Sequence, residues 1–204
     1  MRKILAVTVL LGAVGLTAWG QDEPPPARYG VPPNLDLFPQ DSPKAALSSA
    51  VKAVEKGRTD YLAAHLIDPK FIDDRVTERA KSLEKEVAAD MRALREVQVQ
   101  NPAAASREDR VPADPKGFDE AVRREAARRA FRLVAQDIRG TLDENPDHLK
   151  DLRRFLREGQ ITDAGDTASA TLRGVADPQV HFRKAGNRWY VQDRKRAETE
   201  PAKK

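Results

Sequence analysis

Few residues in this chain could move a proton near neutral pH. His65 sits beside Leu62 and Leu66 and one helical turn from Tyr61, so it could face a cavity. His181 and Tyr190 fall on one side of two runs of alternating polarity, opposite Phe182 and Trp189. If those runs pair as neighbouring strands, the two side chains could approach each other. A histidine beside a tyrosine is a workable acid–base pair, because imidazole titrates near neutrality and a phenol can direct a proton. The plainer reading favours His181 and Tyr190 on an outward sheet face and His65 as a boundary histidine with one satisfied hydrogen bond. Accordingly His65, Tyr61, Tyr190 and His181 are candidates, and no residue is assigned as catalytic. His148, followed by Leu149, Lys150 and Asp151, has no partner at metal-ligand spacing and belongs on a helix surface.

Other chemistries lack their signatures. The chain has no cysteine, which excludes thiolate zinc sites, iron–sulfur clusters and thiol redox chemistry. Its three histidines are scattered, and the acidic doublets Asp73-Asp74 and Asp143-Glu144 do not alternate as calcium-loop ligands do. Glycines are isolated, so no loop cradles a phosphate, and no serine stands in a nucleophile elbow. We therefore expect neither a metal nor a cofactor. Two arginine clusters remain: Arg123, Arg124, Arg128, Arg129 and Arg132, then Arg153, Arg154 and Arg157. Such a face could clamp an anion or an acidic partner. Yet Glu120 and Glu125 precede Arg124 and Arg129 by four positions, the favourable order for pairs within a helix.

The elements that would hold these residues come in a telling order. Ser42-Pro43 opens a helix with Leu47, Ala50, Val51 and Val54 on one face, and Lys56-Gly57 ends it. A shorter helix is expected over 60–67, burying Leu62, Leu66 and Tyr61, with Asp68-Pro69 closing it. A long helix over 73–100 carries the stripe Val76, Ala80, Leu83, Val87, Met91 and Leu94. After a Pro-containing loop over 101–116, a fourth helix over 118–139 turns Phe118, Val122, Ala126, Ala130, Val134 and Ile138 inward. The third and fourth could pair as an antiparallel hairpin or pack on another subunit. A fifth spans 146–158 with Leu149, Leu152 and Phe155. Period-two runs follow: Ala168, Ala170 and Leu172, then Val180 and Phe182, then Trp189 and Val191, with Ala185-Gly186-Asn187 as a hairpin loop. Helices first and one meander last predict an α+β fold, about five N-terminal helices packed on one face of a small antiparallel β-meander.

The ends speak to location. Arg2 and Lys3 precede an apolar run over 4–18, too short to span a bilayer, and Ala18 and Gly20 are small residues suited to a cut before Gln21. Residues 1–20 read as an export signal, so the chain is expected in the periplasm or outside the cell, touching membrane only if that signal is retained. Residues 21–41 are Pro-rich and read as a spacer with little to bury. One domain is expected over 42–193, and a charged disordered tail over 194–204. The net charge of +4, with a third of residues charged and both signs interleaved, excludes a polyanion-binding stripe and argues against nucleic acid.

The opening SPKAALSSAVKAVEKGRTDYLAAHLI and the closing GDTASATL and VHFRKAGNRWYVQD resemble the nuclear-transport-factor-2-like, or SnoaL-like, cone fold over about residues 42–67 and 160–193. The resemblance implies a curved sheet wrapped around helices, and a pocket in which enzymes of the family use Asp, His or Tyr. Between the matching halves this chain sets two long charged helices and a Pro-rich loop where the family has one helix and further strands. That implies an exported bacterial protein with a helical insertion. The expected role is non-enzymatic binding of a small molecule or an envelope protein. The alternatives are a cone-fold enzyme with acid–base chemistry in a pocket, and an accessory interaction module using the long helical pair.

Overall fold

Capping chemistry sets the helix boundaries. The structure, a computed structural model, describes residues 26–101, 110–174 and 179–192, so the expected signal and tail lie outside the described residues. Helix α1 (Pro43–Glu55) begins where the Ser42 hydroxyl accepts from the Ala45 amide at 3.2 Å. It ends at Gly57 with φ 65°, where the Gly57 and Arg58 amides reach back to the Val54 and Ala53 carbonyls. A residue without Cβ adopts that conformation without strain. Helix α2 (Thr59–Tyr61) widens at once into a π turn, Leu62–Leu66, closed by the Ile67 amide on the Leu62 carbonyl at 3.0 Å.

Asp68-Pro69 opens the next helix as well as closing this one. Helix α3 (Pro69–Gln100) therefore starts earlier than the apolar spacing predicts. Pro69 occupies the first turn, where its missing N–H costs nothing, and the Asp68 carboxylate accepts from the Lys70 amide at 2.9 Å. The same pairing starts α4 (Pro115–Glu144) before the expected position, with Asp114 accepting from the Gly117 amide at 2.7 Å. Helix α5 (Pro146–Glu158) has the expected limits.

The sheet is an open antiparallel meander in the order β1 (Gln160–Asp163), β2 (Thr167–Thr171), β3 (Gln179–Ala185), β4 (Arg188–Gln192). Gly186, at φ 60°, turns β3 into β4. The fold is thus α+β, five helices followed by four strands among the described residues. Ala168 opposes Phe182, and Phe182 opposes Val191, so one sheet face is apolar. That face buries Ala168, Ala170, Phe182 and Trp189 against Ala46 and Leu47 of α1 and Phe155 of α5. The other side of α1 sends Ala50 and Ala53 into a second cluster with Tyr61, Leu66, Ile72 and Val76. Helix α1 therefore stands between the sheet core and the helical core.

The Pro-rich segment departs from its expected role as a spacer. Over 28–40 it is packed onto the helical core, with Val31, Phe38 and Gln40 buried. The prolines made it look extended and unable to bury surface, but its apolar residues fall between them. Phe38 stacks on Tyr61 with ring centroids 4.3 Å apart, and Tyr29 stacks on Phe131 of α4 at 4.6 Å. We expect Phe38→Ala to cost about 3–5 kcal/mol in urea unfolding of the chain from Gln21 onward. A loss below about 1 kcal/mol would return this segment to the status of a spacer.

Candidate functional site

Tyr61 and His65 do come together, as their four-residue spacing along one helical face predicts. Their rings lie 4.9 Å apart, tilted by 41°, and both residues are buried. Each is already committed. A carbonyl can only accept, so His65 Nε2 carries the proton and donates to the Val31 carbonyl at 2.9 Å. The Tyr61 hydroxyl accepts from the Asn34 amide at 2.9 Å. Burial pushes the His65 pKa below its ordinary value, with Arg28 and Arg188 adding to the fall while the Val31 bond and Asp60 oppose it. Burial likewise raises the Tyr61 phenol. The pair is a neutral imidazole and a neutral phenol that fix the 28–40 segment in place.

Carbonyls of the π turn explain what else gathers here. Arg28 donates to the Ala64 carbonyl at 2.6 Å and to the Asp73 carboxylate, and the Tyr29 hydroxyl donates to the same carboxylate at 2.6 Å. The Tyr29 phenol is pushed well above its usual range, first by burial and then by Asp73. Gln40 Nε2 donates to the His65 carbonyl at 2.7 Å and to the Trp189 carbonyl at 2.9 Å. Its Oε1 has no partner among the described residues. Asp73, one of the acidic doublets, is thus occupied by Arg28 and Tyr29. Sequence reasoning missed Arg28, Gln40 and Asp68, because none stands in a chemical motif.

His181 and Tyr190 share a sheet face but are not opposite each other. His181 opposes Ser169 and Gln192, and Tyr190 opposes Arg183, which makes the two diagonal neighbours. No hydrogen bond joins them among the described residues. His181 is half-buried. Tyr190, expected on an outward face, is buried instead. Ile67 and Asp68 run alongside β4, and the Asp68 amide donates to the Val191 carbonyl at 2.8 Å. Arg183 approaches the buried Asp68 carboxylate at 3.5 Å on this side of the sheet. His148 is exposed on α5, as expected.

Open concavities among the described residues lie along the antiparallel pair of α3 and α4. Arg79 meets Asp137 at 2.6 Å and Arg129 meets Asp90 at 2.6 Å, which sets the register of the pair. A groove of about 490 Å³ near its far end is lined by Asp90, Met91, Leu94, Val111, Arg124 and Arg128 among others. Another, of about 460 Å³, lies along the same two helices at Arg75, Ser82, Val134 and Asp137. His65, Tyr61, His181 and Tyr190 line neither. The α5 arginines are engaged differently, Arg153 with Glu55 of α1 at 2.8 Å and Arg154 with Asp151.

Comparison with protein-family models, curated proteins and solved structures gives no match for this chain. Among the described residues no helix is long and apolar enough to cross a membrane, and no group of three or more acidic or histidine side chains is placed to hold a metal ion.

The depressed His65 pKa has a sign that can be checked. The unfolded histidine takes up its proton near pH 6.5, before the folded one does. Stability held above about pH 6.5 is therefore lost as pH falls toward the folded value. We expect the melting temperature to drop between about pH 7 and pH 5, with a shallower slope in His65→Gln. Parallel slopes in the two proteins would show that His65 titrates as an exposed histidine does.

Proposed function

We propose that this chain is an exported interaction protein that presents the α3–α4 pair to another envelope protein. One observation carries the reading: beyond Val87 no residue of α3 is buried, yet the helix continues to Gln100. That is roughly 20 Å of helix at 1.5 Å per residue, with Leu94 48%, Val97 57% and Val99 72% exposed. Apolar side chains on the uncovered part of a long helix are the mark of a contact surface rather than of a core. The residues that could have made an enzyme support this from the other side. Tyr61 and His65 are consumed by backbone partners, and Arg28 and Asp73 by each other. Export rests on Arg2, Lys3 and the apolar run that follows them. The cone-fold resemblance contributes no catalytic residue to this reading.

Photo-crosslinking in cells that make the protein tests it. A photoreactive amino acid at Val97 or Val99 is expected to give one discrete adduct with an envelope protein, and the same probe at Thr167 on the sheet to give none. Adducts only from Thr167, or none from either helix position, would move the contact surface away from the helical pair.

A further inference from the structure

The groove near the far end of the pair has a definite chemical character. The apolar stripe of α3 is buried through Val87, half-buried at Met91, and then left open at Leu94. Val97 lies one turn further along, also exposed. Across from them the chain turns back at Val111 and Pro112. The Val111 amide donates to Gln98 Oε1 at 2.9 Å, so this wall is fixed to α3 by a hydrogen bond. The groove is thus built before any partner arrives, with an apolar floor of Met91, Leu94, Pro112 and Ala121.

Its rim is cationic for a countable reason. Arg129 takes the nearby carboxylates: Asp90 at 2.6 Å, Glu125 at 3.3 Å and Glu86 at 3.8 Å. Arg124 and Arg128, one turn apart on the same helix, are exposed and meet no carboxylate among the described residues. Two guanidinium groups beside an apolar floor favour a ligand that carries carboxylates next to apolar side chains. Val99, the most exposed large apolar residue of α3, lies outside this groove, among Arg92, Arg95 and Glu96.

We propose that this groove seats an acidic amphipathic segment of a partner protein, its apolar side chains on Met91, Leu94 and Pro112 and its carboxylates on Arg124 and Arg128. The inference rests on the reading of the helical pair as the contact surface, and names the chemistry of what it contacts.

The test is a fluorescence-anisotropy titration of the chain from Gln21 onward. The probes are two labelled amphipathic helical peptides of about five turns, one of leucine and glutamate and one of leucine and lysine. We expect saturable binding of the glutamate peptide alone, weakened by added salt. Removing two exposed charge pairs in Arg124→Gln/Arg128→Gln should weaken it about tenfold. Leu94→Gln should weaken it comparably, and Lys44→Gln/Arg157→Gln, outside the groove, should leave it unchanged. These helix-surface changes keep the fold, which circular dichroism verifies. Equal binding of both peptides, indifference to the Arg124/Arg128 change, or no saturation by about 1 mM would overturn the proposal. So would a dimer in sedimentation that the same two substitutions dissolve, since the groove would then belong to a second copy. Binding that emerges only in Glu108→Gln/Asp109→Asn would assign the groove to the chain's own residues 102–109. Crosslinks at Val97 with a failed titration would sink the acidic chemistry alone, whereas absent crosslinks would sink the underlying reading.

Discussion

Unpaired backbone groups meet at one place in this molecule, and the fold is organised around satisfying them. The π turn over 62–66 leaves the Ala64 and His65 carbonyls without intrahelical donors, and β4 is the last strand of an open sheet with a free edge. Both problems are solved by the same two short segments. Arg28 and Gln40 cap the two carbonyls, the Trp189 amide donates to the Gln40 carbonyl at 2.9 Å, and the Asp68 amide closes on Val191. A buried peptide group left unmade costs on the order of a few kcal/mol, so these bonds are required rather than ornamental. They also join the helical cluster to the sheet cluster, which otherwise share little beyond α1.

That requirement explains why the most reactive-looking residues are bonded to backbone groups. Their four-residue spacing places Tyr61 and His65 side by side on the inner surface, which the 28–40 segment crosses on its way to the sheet edge. Crossing chain brings carbonyls and amides, and these take up the imidazole and the phenol. Neutral, desolvated and each bonded to the crossing segment, the pair ties that segment to the helical core. The Asp68 carboxylate serves in the same way, capping α3 while its backbone seals β4 and Arg183 closes over it.

The long helical pair obeys a different logic. Its inner seam is made of small and branched residues such as Ala80, Val87, Val122, Ala126 and Ala130, which let the two helices approach closely. Exposed ion pairs such as Arg79–Asp137 add little energy, about 0–1 kcal/mol each, but they exclude other registers. The half near the π turn buries Ile72, Val76 and Ala80, and among the described residues the far half, beyond Val87, has no buried residue. Among the described residues no element lies over Leu94, Val97 and Val99, which are exposed there.

The sequence by itself determined the architecture. Caps at Ser42 and Gly57, the 3.6-residue stripes of Val76 to Val87 and Val122 to Val134, and the alternation through Phe182 and Trp189 are local patterns, and local physics enforces them. Only the tertiary structure decided the fate of the candidate residues. Whether His65 faces a cavity depends on Val31, far away in the chain, and whether Tyr190 faces solvent depends on Asp68 running beside β4. The Pro-rich composition of residues 21–41 concealed Phe38 and Gln40, since proline reports backbone stiffness and is silent about what its neighbours pack against. Likewise Leu94 has the spacing of a core residue and is left half-exposed. Periodicity shows which side of a helix is apolar, but what covers that side is set by elements distant in sequence.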